Sequence, residues 1–403
     1  MSQRWSLAPY FALILVTTMS LGAVFTMLAE FRDRLGISES GIGFMVAMGF
    51  FAAFAGQMVL ARFADRGHSK TMIRVGLACV VASLCWMVVA TELWQLVGSR
   101  ILLGAGIGAI FPSVRRIVIA ADPADVGTNL GLLGSFDVSG FVVGPLVAAV
   151  FTEVVGFRAP FVVLAVATAA FIPFVTRLPA DVGTVSHERR VVRVLLARRG
   201  MQASLVVAAG WFAMLGTFEA VWAVLLTDRG AETWLIGLTL SIIVLPMIVL
   251  APLGGRLAQR HGPLRVAGLG VLLVVPCVVA YGFVGSLLVL TLLALAQGVG
   301  DAVTFPATQV GAAMTSDEGQ LASAQGLLGA TLELMAGIVA LVSGVVYDLW
   351  GPGAVFTGTG VFMVVGVAVS AWLARPLAQA GHALVVGRSR GLVEPVGATG
   401  LEA

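Results

Sequence analysis

The sequence predicts an all-α membrane protein with twelve transmembrane helices in two pseudo-symmetric six-helix bundles. Three observations carry that expectation. Hydrophobic residues make up 59% of the 403 and charged residues 11%, with a mean hydropathy of +1.01, whereas a soluble domain carries roughly 25% charge. Twelve apolar stretches are long enough, or nearly so, to cross about 30 Å of hydrocarbon as helix. The chain also repeats itself. At an offset of 194, 61-ARFADR-66 falls on 255-GRLAQR-260, Gly104-Ala105-Gly106 on Gly298-Val299-Gly300, and Phe111-Pro112 on Phe305-Pro306. One residue further out of register, 131-GLLG-134 matches 326-GLLG-329 and Gly156 matches Gly351.

In order, the expected spans are 7–29, 41–60, 74–91, 94–114, 128–151 and 160–177, then 202–225, 234–254, 266–284, 287–310, 321–345 and 353–374. The first is too long for the apolar core of a signal peptide, has only Arg4 before it, and has a repeat mate at 202–225, so it is expected to be retained. The bundles are expected at residues 1–177 and 201–375, with a basic linker at 178–200 that contains Pro179 and Gly183 and a tail at 376–403 with little order. Nineteen basic residues fall in segments on the N-terminal side of the membrane, against four (Arg32, Arg34, Arg158 and Arg229) on the other. That bias places both termini in the cytoplasm of a plasma-membrane protein. The nineteen include Arg115 and Arg116, assigned to the loop after the fourth span. The cysteines, Cys79, Cys85 and Cys277, sit in apolar runs without metal-ligand spacing, which argues against a disulfide framework and a zinc site.

The loop after the second span reads 61-ARFADRGHSK-70, preceded by Gly56, and its copy runs from Gly255 through Gln259, Arg260 and Gly262 to Arg265. The fourth span carries 100-RILLGAG-106 and the fifth 140-GFVVGP-145. These motifs, in this order and on these spans, resemble the signatures of the major facilitator superfamily. The last is similar to a pattern associated with its antiporters, though Leu146 onwards departs from that pattern's closing glycine pair. The resemblance extends over all twelve spans and implies the major facilitator fold, in which spans 1, 4, 7 and 10 line a central cavity and 2, 5, 8 and 11 flank it. It implies that Asp65 faces a helix N-terminus of the other half and latches the cytoplasmic side, with Arg66 and, in the copy, Arg260 beside the gate. Independently of it, Gly140 and Gly144 with Pro145 suit a close helix approach, and the proline can kink the helix.

Five ionisable residues fall inside spans: Arg100, Asp137, Glu219, Asp301 and Glu333. Each would cost about 2.5–3.5 kcal/mol at a helix centre exposed to lipid, so each is expected to face a polar interior or a partner. Asp137, on the next span, is the expected partner of Arg100. Gln297, Asp301, Thr304 and Thr308 share one helical face. Trp211, Phe218 and Trp222 form a stripe on the seventh span that could stack a flat substrate, with ordinary packing as the competing reading. The substrate cavity is therefore expected to include Arg100, Gln297, Thr304, Trp211, Phe218 and Trp222. Asp301 is the first choice of proton-coupling acid, ahead of Glu219, Glu333 and Asp137.

There is no G-x-x-x-x-G-K-[ST] nucleotide loop, so an ion gradient is the expected energy source and no cofactor is expected. Four interior acids against one arginine leave a formal balance of −3, which favours protons and lipophilic cations. The leading expectation is a proton-coupled efflux antiporter of amphipathic small molecules. A proton symporter importing a small organic solute is the alternative, and a non-transporting receptor or membrane enzyme a remote one. The expected partners are the lipid bilayer, a small-molecule substrate and protons, with no nucleic acid and a monomeric state.

Overall fold

The structure, a computed structural model, describes residues 2–37, 39–177, 191–231 and 233–386. Within them the regular structure is helical throughout. The first half runs through α1 (Ser2–Thr26), the short α2 (Leu28–Leu35), α3 (Glu39–Phe63), α4 (Ser69–Val89), α5 (Leu93–Ala121), α6 (Val126–Val154), α7 (Ala159–Ala169) and α8 (Phe171–Arg177). The second comprises α9 (Val191–Ala197), α10 (Arg199–Asp228), α11 (Thr233–His261), α12 (Pro263–Tyr281), α13 (Leu287–Met314), α14 (Leu321–Gln379) and α15 (Ala383–Val386). Among the described residues, nine helical stretches are long and apolar enough to cross a bilayer. Two of these, Phe44–Val89 and Glu318–Gln379, are of double length and break at Gly67 and Gly351. Ala159–Val175 is a further, shorter apolar helical stretch.

The repeat is visible in the backbone. Gly67 (φ 83°) and Gly262 (φ 90°) turn the chain between the second and third spans of each half. Both lie in the left-handed region, where a Cβ would be strained. Helices need no external hydrogen-bond partners in lipid, so what holds these together is close packing. Gly104 and its repeat mate Gly298 play the same part. A Cβ on the first would run into the carbonyl of Gly49 on α3, and one on the second into that of Ile243 on α11. Within the first half α3 and α4 pack on α5, and α1 on α6; within the second α11 and α12 pack on α13, and α10 on α14. The halves meet through α6 against α11 and α3 against α14. Large apolar side chains such as Leu146, Val150, Leu269, Leu341 and Trp372 face outward, which suits a lipid-facing surface.

Three boundaries differ from expectation. α5 does not stop near residue 114 but runs to Ala121, because Arg115 and Arg116 are buried inside the protein (5% and 4% exposed) instead of lying in a loop. α14 continues to Gln379, past the expected start of the tail, and α15 then packs against α12 and α14. Of the expected linker, residues 178–190 lie outside the described set, and the remainder forms α9 and the start of α10. Residues 387–403 of the tail also lie outside it.

Candidate functional site

Asp65 lies in a π-helical turn (Ala64–His68) at the end of α3, almost fully buried. Its two carboxylate oxygens accept backbone N–H groups from the opposite half: Oδ1 from Ala322 at 2.8 Å and Oδ2 from Ser323 at 2.7 Å. These are first-turn donors of α14, left unpaired by helix geometry and favourable for an anion. Arg116 approaches Asp65 at 3.6 Å and donates to the Ser69 hydroxyl at 3.0 Å. The second half makes a neutral counterpart. Gln259, at the repeat position of Asp65, accepts the N–H of Gly127 at 2.8 Å and donates to the carbonyl of Ala124 at 2.6 Å, at the start of α6. Arg256 adds a bond to the Thr128 hydroxyl at 2.9 Å. The contact is backbone-tight: a Cβ on Gly127, Gly131 or Gly255 would strike a main-chain carbonyl of the other half.

Arg66 instead lies over the ring of Phe63 and Arg260 is exposed; the bonds between the halves come from Asp65, Gln259 and Arg256, and Arg116 supports Asp65 from within its own half. The signal for Gln259 was its alignment with Asp65. Arg256 and Arg116 fall among the nineteen basic residues that the charge bias assigns to the cytoplasmic side. This end of the interface should therefore be sensitive to bulk. Gly131→Val is expected to wedge α6 from α11, and maleimide labelling of Leu133→Cys in a cysteine-free background should rise; unchanged labelling would mean the contact does not seal this end.

Deeper in the interface, Arg100 of α5 is 2% exposed and lies beside Gly49, whose missing side chain makes room for the guanidinium. Its electrostatic partner is Glu333 of α14, in the other half, and not Asp137. Asp137 on α6 sits 4.0 Å from Arg115. The Glu333 charge also acts on Arg115, whose guanidinium stacks over Phe111 at 5.3 Å. Arg100, Arg115, Asp137 and Glu333 thus form one charged system shared by both halves. A narrow space bounded by Ile14, Phe111, Arg115, Leu133, Gly134, Asp137 and Gln309 adjoins it. Arg115, expected in a loop, thus joins Arg100 as a second buried arginine, and Asp137 and Glu333 are the acids beside them.

Asp301 occupies a different setting. Trp211 Nε1 donates to its Oδ1 at 2.6 Å and Gln297 Nε2 to its Oδ2 at 3.0 Å. The Tyr281 hydroxyl donates to Gln297 Oε1 at 2.7 Å, and Gln297 also reaches the Met214 sulfur at 3.0 Å. Every named partner belongs to the second half, so Asp301 lies inside that bundle. Trp211 packs on Phe305 at 5.5 Å, and the ring of Phe305 faces Gly134 of the first half. Asp301 therefore stands one aromatic layer behind the interface.

The remaining cavity expectations need correction. Trp222 stacks on Phe218 at 4.4 Å, meets Tyr281 edge-on at 4.8 Å and donates to Thr239 at 3.0 Å, while Tyr281 packs on Phe356. Phe218 and Trp222 are thus part of the second half's own core, because their rings pack on Tyr281 of α12, which in turn meets Phe356 of α14. Thr304 likewise bonds back to the Gly300 carbonyl and packs against Gly270 of α12. Gln297 and Trp211 hold Asp301 and do not line the shared interface. Gly140 and Gly144 press α6 onto α1, where a Cβ would meet the carbonyls of Leu15 and Met19, and Pro145 packs beside Gly22. The Glu219 side chain lies outside the described residues. Among those residues no cluster of three or more His, Cys, Asp or Glu is placed to hold a metal.

Two helical halves closed over a charged, buried interface are the arrangement in which many membrane transporters enclose their site. The sequence profile described as "Major Facilitator Superfamily" matches residues 10–226 and 209–392. The chain belongs to the major facilitator superfamily and is a multi-pass membrane transporter. It is 26% identical over 313 residues to the multidrug resistance protein MdtG of Salmonella dublin, covering 72% of this chain and 76% of that one. Against the protein of the same name in Enterobacter lignolyticus it is 24% identical over 311 residues, with coverage of 72% and 73%. Among solved structures, the human organic anion transporter MFSD10 (TETRAN) aligns with a TM-score of 0.73 at 16% identity, over 92% of this chain and all of that one. At that identity the likeness concerns the fold.

Proposed function

We propose that this transporter is a proton-coupled efflux antiporter of amphipathic, cationic or neutral small molecules, acting in the plasma membrane with both termini in the cytoplasm. The observation that carries the reading is the charged system across the interface. Glu333 of one half acts on Arg100 and Arg115 of the other, so any rocking of the halves must exchange these partners. A cationic substrate can take the place of an arginine beside Glu333 or Asp137. The relatives named for multidrug resistance favour export of such compounds.

In this reading Asp301 carries the coupling proton. It is held by two neutral donors and can bind a proton without giving up an ion pair, whereas Asp137 and Glu333 face arginines. Protonation changes what Trp211 and Gln297 can donate to, and Trp211 passes that change through Phe305 to the interface. Asp65 and Gln259 act as the cytoplasmic latches, one charged and one neutral. Asp65→Asn removes the charge from two buried hydrogen bonds, costing the closed state about 1–3 kcal/mol, roughly tenfold or more in its population. Transport is expected to slow by about tenfold in direct flux while the protein stays folded in the membrane; wild-type flux would remove Asp65 from the gate.

A second reading, proton symport of an organic anion, draws on Arg100 and Arg115, which could hold a carboxylate once the acids are protonated. The sign of coupling separates the two. The first experiment is expression in a drug-sensitive host. Antiport predicts raised tolerance to lipophilic cations that disappears when the proton gradient is collapsed; tolerance unaffected by collapse would contradict it.

A further inference from the structure

We propose that a groove between the start of α10 and the end of α14 binds the phosphate headgroup of an acidic phospholipid. The groove is lined by Arg199, Gln202, Trp372, Leu373, Arg375 and Pro376 and encloses about 500 Å³. It lies on the outer surface, remote from the charged interface between the halves. Its membrane depth follows from its neighbours. Arg198, one residue before Arg199, donates to the Thr315 carbonyl and to Asp317, both at 2.7 Å. That connection leads directly into the first turn of α14, where Asp65 is bound. The groove is therefore at the level of the Asp65 turn, at one membrane–water boundary.

The chemistry of the lining selects the ligand. Trp372 is 62% exposed, and an indole at this level suits the boundary between acyl chains and headgroups. Arg199 and Arg375 are both exposed and share the groove. Two guanidinium groups brought to one site repel each other unless an anion lies between them, and their planar forks match phosphate oxygens. The nearby acid, Asp317, is already bonded to Arg198, and no carboxylate lines the groove. Arg199 also opens the 30-residue α10, so the groove lies at the helix end that attracts anions. Leu373 and Trp372 give the acyl chains an apolar wall, which a free phosphate would leave unused. A basic pocket between membrane helices at this depth is suited to an anionic lipid.

The test is lipid retention by the full chain in detergent, read by native mass spectrometry with phosphatidylglycerol, or phosphatidylcholine of the same acyl chains, as probe. Wild-type protein is expected to retain phosphatidylglycerol in preference to phosphatidylcholine. Each arginine should contribute about fivefold, so Arg199→Gln with Arg375→Gln together should weaken retention about twenty-five-fold. Arg193→Gln, an exposed arginine of α9 outside the groove, should change nothing. Trp372→Ala, which leaves the charges in place, should weaken retention severalfold and provides a second reading should the double variant fail to fold. Equal phosphatidylglycerol retention by wild type and the altered proteins, an equal loss in Arg193→Gln, or full displacement by inorganic phosphate would each overturn the assignment.

Discussion

Asp301→Asn is expected to abolish pH-gradient-driven uptake into everted vesicles while leaving substrate counterflow in place. Counterflow needs only binding and the conformational cycle, with no net proton movement. Asparagine keeps an oxygen for Trp211 and a side chain of nearly the same volume. Its amide nitrogen would then face Gln297, and rotation of the Gln297 amide offers an acceptor in place of the donor, with Tyr281 able to take up the turned NH₂. The network that holds α10, α12 and α13 together can thus be rebuilt without a charge, so the loss should fall on coupling and not on folding. Replacing Trp211 by Phe deletes one donor to Asp301 and keeps an aromatic ring against Phe305; gradient-driven uptake is expected to shift in its pH dependence, not vanish. Normal gradient-driven uptake by Asp301→Asn would move the coupling role to Glu333 or Glu219.

Arg100→Ala is expected to reduce transport by about a hundredfold or more. The guanidinium is buried between α5 and α3, and its removal leaves Glu333 without one of the two cations that act on it. Breaking one side of a buried pair costs roughly 3–5 kcal/mol. Arg100→Lys keeps the charge but loses the planar fork, so partial recovery is expected. Combining Arg100→Ala with Glu333→Gln removes both charges, and the pair should lose less than the sum of the single effects, with a coupling of at least about 1 kcal/mol. Additive losses in direct flux would show that the two residues act independently. Full activity of Arg100→Ala would make the residue a bystander.

The repeat and the motifs made the two-bundle fold legible, because duplicated glycines report backbone contacts that only glycine permits. Gly67 and Gly262, or Gly104 and Gly298, recur in sequence because they recur in geometry. Arg115 and Arg116 differ from the hydropathy expectation for a physical reason. Hydropathy ends a span at the first pair of charges, but these find Asp137, Glu333, Asp65 and Ser69 inside the protein, partners supplied by distant helices. The aromatic stripe on α10 failed differently. Periodicity places Phe218 and Trp222 on one face but is silent on whether that face meets the central interface or the bundle's own core. Tyr281 and Gln259 carried weaker signals, a single tyrosine in an apolar span and a glutamine aligned with Asp65. Neither reveals its partner without the fold.

The central claim is that protons and substrate move in opposite directions, the proton on Asp301 and the substrate in the charged interface in front of it. Its most direct test is proton flux in proteoliposomes containing a trapped pH dye, with ethidium as the lipophilic cation. With an acidic lumen and a neutral exterior, added ethidium should enter and the lumen should become more alkaline as protons leave; Asp301→Asn vesicles should show neither change. Luminal acidification on ethidium entry, or entry with no proton movement in wild-type vesicles, would contradict proton-coupled antiport.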